Sequence, residues 1–290
     1  MYSPQIIIEA ALNGLMNGAV YALVAFGLTL VYGVLHIINF AHGALLTCAM
    51  FMVWVAWSWL GIDPYLSVLI VAPAMFALGY ALQRFVIGPA SHQNDGNILL
   101  VTLGLAIILE NGLLAIFKSD TRTIDTDYAF QVVPLGPLLL SRPRVVGFMA
   151  AIAMTVLLWF VLNRTNIGKA IRAVSREKLG ARLVGIDVAH VYAVTFAIGC
   201  ACLAVAAALL MPTLYVNPRI GGAFVLVAFT IVVLGGMGSI VGALLGGLLI
   251  GIVESLSSLY FGDSLGQLGI FLIFIAVLLV RPTGLFGARA

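Results

Sequence analysis

Apolar runs of about twenty residues recur along nearly the whole of this chain, and no other feature limits its fold so sharply. A helix needs about that many residues to cross the roughly 30 Å hydrocarbon core of a bilayer. The runs lie near 6–32, 44–60, 65–82, 98–117, 145–162, 191–211, 222–234, 240–260 and 265–280. A chain that is 63% hydrophobic and 9% charged falls far from soluble domains, in which about 25% of residues are charged. A membrane β-barrel is excluded, because its strands alternate apolar and polar positions over stretches of roughly ten residues. The expected fold is therefore all-α: a polytopic bundle of eight or nine transmembrane helices forming one membrane domain over residues 1–290.

Two places leave the span count open. Between Gly33 and Gly43 lie His36, Asn39 and His42, which suit either a connecting loop or a helix break at membrane depth. The run at 222–234 is short for a full crossing, so a tilted or re-entrant piece also fits there. The N-terminus, MYSPQIIIEA, lacks the basic region of a cleavable signal peptide, so its first run is expected to be retained as a span. Lysine and arginine bias then sets the orientation. With nine spans and the N-terminus outside, the cytoplasmic loops are 33–43, 83–97, 163–190 and 235–239, followed by a cytoplasmic C-terminus. That side carries nine basic residues, from Arg84 to Arg289, against five outside: Lys118, Arg122, Arg142, Arg144 and Arg219.

Membrane-buried polar groups are costly and mark candidate pathways. Glu9 shares a helix stripe with Asn13 and Asn17. Glu110 and Glu254 sit inside later runs, and Asn39 and His42 in INFAHGA form a further polar pair. Asn13, Asn17, Asn39, His42, Glu110 and Glu254 are thus the candidates for a translocation pathway, with hydrogen bonding between helices as the structural alternative. Gly14-x3-Gly18, Gly242-x3-Gly246 and Gly247-x3-Gly251 allow close helix approach. Gly235, Gly236, Gly238 and Ser239 predict a sharp turn whose backbone faces a cavity. Cys48, Cys200 and Cys202 all lie in apolar runs, as small buried hydrophobes rather than disulfides or metal ligands.

Catalytic motifs are missing from the sequence. No phosphate-binding loop with Lys-Ser or Lys-Thr is present, nor H-E-x-x-H, nor G-x-S-x-G. No catalytic, metal or cofactor residues are expected, and no basic stripe with interleaved aromatics suggests nucleic acid. The loop 163–190 stands apart: six basic and two acidic residues are mixed with Ala170, Ile171, Val174, Leu179, Leu183 and Val184. That mixture predicts short helices lying on the membrane face and presenting apolar knobs to a partner.

Five segments in order carry a family resemblance: NGLMNGAVYALVAFGLTLVYGVLHIINFAHGALL, LLVTLGLAIILENG, GKAIRAVSREKLGARLVGID, VLGGMGSIVGALLGG and VLLVRPTGLFG. The chain resembles the permease subunit of branched-chain amino acid (Liv-type) ABC importers, in its shorter form. The resemblance implies a bacterial inner-membrane protein that works with a second homologous permease, two cytoplasmic ATPases and an external solute-binding protein. ATP and magnesium would then be bound by the ATPases. The spacing Glu177-x3-Ala181-x3-Gly185-Ile186, with Arg172 beside it, matches the element by which such permeases grip their ATPases. The implied activity is alternating-access import of branched-chain or other amino acids. Relatives of this shape also import urea, short amides and aromatic or other carboxylates. After Asn39-Phe40-Ala41-His42-Gly43, many members carry an acid where this chain has Ala44. The rival classes are a passive channel lined by the glycine-rich segments and an ion-coupled transporter using the membrane glutamates.

Overall fold

The computed structural model describes residues 3–90, 95–135, 138–262, 265–281 and 284–285. In chain order its helices are α1 (Pro4–Leu35), α2 (His42–Leu60), α3 (Pro64–Leu82), α4 (Gly88–Ala90), α5 (Asp95–Phe117), α6 (Arg142–Arg164), α7 (Asn166–Arg176), α8 (Lys178–Leu183), α9 (Val188–Leu210), α10 (Gly221–Gly235), α11 (Ile240–Phe261) and α12 (Gly266–Val280). A two-stranded antiparallel hairpin, β1 (Val132–Leu135) and β2 (Leu138–Ser141), precedes α6. Seven helices are long and apolar enough to cross a membrane, and α10 and α12 are shorter apolar helices. All nine occupy the runs expected from sequence.

Local chemistry explains the helix starts. Ser3 and Asp63 cap α1 and α3, each followed by a proline whose missing N–H costs nothing in a first turn. Asp187 accepts from the His190 N–H at the head of α9, and Ser239 accepts from the Gly242 N–H at the head of α11. One boundary differs from expectation. The stretch 83–97 was expected to be a loop, yet α3 continues through a π-helical turn, Gln83–Ile87, into α4. Arg84 is the only charge in 83–90, and its long side chain reaches water without ending the helix. Residues 91–94, 136 and 137, and Arg289 with half of the tail segment VRPTGLFG lie outside the described residues.

The chain folds as two halves of opposite direction. In the first, α1 runs to the side of the bundle where α7 and α8 lie and ends at His36 in a left-handed conformation. The chain then turns back into the bundle. The His42 ring at the start of α2 lies 2.8 Å from the Val24 carbonyl oxygen, eleven residues above Leu35. That is about 16 Å of helix, a distance five extended residues can span. Residues 36–41 are thus a break at membrane depth, resolving the alternative left open by the sequence. The second half mirrors it. α9 runs to the opposite side, Val216 exchanges two backbone hydrogen bonds with Arg122, and α10 then starts beside α2.

Glycines hold these halves together. Gly27 of α1 lies against Gly199 of α9, and Gly43 of α2 against Gly221 of α10, with backbones in direct contact. α1 packs along α11, while α9 packs along α3. Exchanging α1, α2 and α3 for α9, α10 and α11 reproduces this pattern, the mark of an inverted repeat. The core is correspondingly central: α1 and α9 are mostly buried, whereas α3, α5 and α6 are mostly exposed to the surroundings.

Candidate functional site

Where α1 ends and α9 begins, α7 and α8 lie across the ends of the spans. Ile171 and Val174 of α7 and Ala181 of α8 form a small core with Val34 of α1 and with Val188 and Val191 of α9. The Ser175 hydroxyl donates to the Gly33 carbonyl and ties α7 to the end of α1. Glu177 stands between the two helices in an extended conformation, and its carboxylate accepts from the Leu179 N–H as the α8 cap. Beyond α8, the Gly185 N–H bonds to Arg182 and the Ile186 N–H to Ala181. Gly185 takes φ +86°, a conformation that an L side chain adopts only under strain.

The five residues expected to form the coupling element fall into two groups. Ala181 is buried, and Ile186 is half-buried against the same small core. Arg172, Glu177 and Gly185 are exposed. Sequence reasoning left out of that set the residues giving α8 its outer face: Leu179 is 66% exposed, Leu183 82% and Val184 76%. Their signal was present, since apolar side chains in a basic loop need a surface to cover. The i, i+4 spacing of Leu179 and Leu183 puts them on the face opposite the one Ala181 buries.

A second candidate lies within the spans. The antiparallel contact of α1 with α11 pairs Gly14 with Gly251 and Gly18 with Gly247, bringing two of the three expected glycine motifs face to face, while Gly242 and Gly246 pack against the end of α10. Beside it opens a cavity of about 310 Å³ lined by Asn17, Tyr21, Arg144, Glu254, Ser255 and Ser258, with Gly14 and Gly251. Tyr21 and Glu254 face the cavity together, and the Ser255 hydroxyl donates to the Ala10 carbonyl oxygen at 2.7 Å. The single ion pair among the described residues is Arg122–Asp120, so Arg144 and Glu254 face this cavity without touching each other. A smaller space of about 60 Å³ adjoins Tyr21 and Glu254 and is lined mainly by Ala223, Phe224, Val227 and Gln267.

Of the six pathway candidates, Asn17 and Glu254 meet here. Asn13 lies one turn outward, where its side-chain oxygen accepts from the Ser141 N–H, as Glu9 does from Leu139, so both hold the hairpin. Asn39 accepts from the Ala41 N–H, and His42 bonds Val24, so this buried pair fastens the break between α1 and α2. Glu110 sits on α5, away from the cavity. Sequence reasoning missed Arg144 and Tyr21. Arg144 had been counted only as an outer-loop charge, and Tyr21 lies four residues along the stripe from Asn17.

The glycine turn forms as expected, with Gly236 and Gly238 at positive φ. It packs against Gly33 and Gly284 and lines none of the cavities described here. On the opposite face, Tyr128 stacks on Tyr65 at 4.9 Å and donates to Asp63 at 2.8 Å. Burial, and then that hydrogen bond, raise the Tyr128 phenol above its ordinary pKa.

Known proteins match this architecture over nearly its full length. The family model described as "Branched-chain amino acid transport system / permease component" matches residues 10–280. The high-affinity branched-chain amino acid transport system permease protein BraD of Pseudomonas aeruginosa is 34% identical, with 97% of this chain and 95% of that protein covered. The corresponding LivH of Escherichia coli is 33% identical, with the same coverage. Among solved structures, PsaBC from Streptococcus pneumoniae in complex with Fab shares the fold, with a TM-score of 0.50 at 15% identity. That alignment covers 95% of this chain and 93% of the other.

Proposed function

The chain belongs to the branched-chain amino acid transport permease family, and on that premise we propose that it is the membrane subunit of an ATP-binding cassette importer for branched-chain or other amino acids. The observation that carries this reading is the α7–α8 module. It is anchored to α1 and α9 by its own apolar core, yet presents Leu179, Leu183 and Val184 outward. A partner that covers those residues and moves them moves the central helix pair as well. Two cytoplasmic ATPases, which would hold the ATP and magnesium, are the proposed partners. Arg172, Glu177, Ala181, Gly185 and Ile186 form the coupling element with that apolar ridge.

The N-terminus faces outward and the C-terminus the cytoplasm of the bacterial inner membrane. A second related permease completes the pathway, and an external binding protein delivers the solute. Within this chain the cavity at Glu254 suits an amino acid head group. Its carboxylate faces an ammonium, Arg144 faces the solute's carboxylate, and Asn17, Tyr21 and the serines supply neutral hydrogen bonds. The wall that Ala223, Phe224 and Val227 give the adjoining space suits an aliphatic side chain.

The test is co-purification of tagged chain from native membranes, together with ATP-driven amino acid uptake. Gly185→Pro and Glu177→Lys should abolish uptake and recovery of the ATPases while leaving membrane insertion intact. Normal uptake by both variants would remove the coupling assignment.

A further inference from the structure

On a flank of α8, between its exposed apolar ridge and its buried face, lies a cavity of about 440 Å³ that the coupling role does not use. Arg84 from the π-helical turn, Lys178 and Arg182 from α8, and Tyr192 from α9 line it with Gln83. None of the three cations has an ion-pair partner among the described residues. The nearest carboxylates in sequence, Glu177 and Asp187, are occupied as helix caps. Lys178 lies over the Tyr192 ring at 5.5 Å, an arrangement that leaves its ammonium free to bond.

Gln83 adds an independent observation. It is 2% exposed, lines this cavity, and its buried side-chain oxygen has no hydrogen-bond partner. An orphaned buried amide oxygen is costly unless something donates to it. The π-helical turn that places Gln83 and Arg84 is itself a feature enriched at functional sites. Three cations and one unfilled acceptor describe a ligand with both an anionic group and a hydroxyl donor.

Position selects the source. Phe85 is 74% exposed on the same turn, and Tyr80, three residues before Gln83 on α3, bonds to His190 of α9. Exposed apolar residues, aromatic rings and cations in sequence along one helix end mark the interface of a bilayer. We propose that this cavity binds the headgroup of an anionic phospholipid of the phosphatidylglycerol type. The phosphate meets Arg84, Lys178 and Arg182, and a glycerol hydroxyl donates to Gln83. Basic pockets between helices on the cytoplasmic side bind such headgroups. The lipid then fastens α8 to α3 and α9, so that the coupling helix and the bundle move as one body. Assignment to the inner leaflet rests on the proposed orientation, but the binding measurement does not.

The full chain, purified in detergent, is incubated with phosphatidylglycerol, with phosphatidylcholine of the same acyl chains, or with inorganic phosphate, and bound mass is read by native mass spectrometry. Phosphatidylglycerol is expected to be retained at least about tenfold better than phosphatidylcholine. The triple variant Arg84→Gln, Lys178→Gln, Arg182→Gln should lose that preference, and Gln83→Leu should weaken it severalfold without lowering the melting temperature. Equal retention of the two lipids, or unchanged preference in the triple variant, overturns the site. Displacement of the lipid by millimolar phosphate makes it a free-anion site and overturns the lipid assignment. Expulsion of the lipid when the ATPases bind gives the cavity to a protein partner and overturns it likewise. Failure of amino acid uptake by the wild-type importer would instead count against the transport reading alone.

Discussion

At Gly18 a methyl group would lie 2.2 Å from the carbonyl oxygen of Gly247, with backbone on both sides and nothing free to move aside. Gly18→Val should therefore separate α1 from α11 and cost about 1–3 kcal/mol, the usual range for overpacking. Thermal melting of the purified chain measures it. Gly104 on α5 meets nothing within 4 Å, so Gly104→Ala should leave the melting temperature unchanged. Equal behaviour of the two variants would show that α1 and α11 do not meet through their glycines. At the cavity beside them, the separation of Arg144 from Glu254 gives a second residue-scale expectation. Arg144→Gln and Glu254→Gln should each lower amino acid uptake about tenfold or more, since a charge-assisted bond to the solute is lost in each. Binding-protein-stimulated ATP hydrolysis should persist. Loss of both activities together would make these residues part of the packing rather than of the pathway.

Among the elements, α8 separates two roles within six residues. Ala181 faces the core of the module and Leu183 faces away from it. Leu183→Asp should leave the chain folded and inserted but weaken recovery of the ATPases in co-purification by at least about tenfold, as truncation of an interface anchor does. Ala181→Asp should instead loosen the module itself, because an unpaired charge would be buried against Val34 and Val174. Trypsin should then cut after Arg176 and Lys178 faster than in the wild type. Similar proteolysis of the two variants would mean that α8 is not seated as described. The amphipathic character of this module was legible in the loop 163–190, where apolar residues interrupt a basic stretch. Which apolar residues turn inward was not, since Glu177 breaks the helix and resets its face. The helix ends were legible for a simple reason: Ser3, Asp63, Asp187 and Ser239 are caps whose chemistry is local.

For the whole molecule, the nine apolar runs foretold the nine helices because span length is dictated by the bilayer rather than by neighbours. The pairing of α1 with α11 and of α3 with α9 was not legible. Those contacts are glycine backbone against glycine backbone, and such motifs announce close packing without naming the partner. For the same reason the membrane cavity was only half visible: Asn17 and Glu254 stood out, whereas Arg144 enters it from the first turn of α6, which sequence order places far away. Handedness across the membrane rests on charge bias, which the two opposed halves make easy to test. An inverted repeat is nearly self-similar when turned over, so the excess of basic residues on the side of α7 and α8 must decide the orientation. In a chain whose three cysteines are replaced by alanine, Thr123→Cys in the loop after α5 should react with an impermeant maleimide on intact cells. Asn166→Cys at the head of α7 should react only after permeabilisation. The reverse pattern would place α7 and α8 outside the cell, beyond the reach of any cytoplasmic ATPase, and the proposed coupling would fall with it.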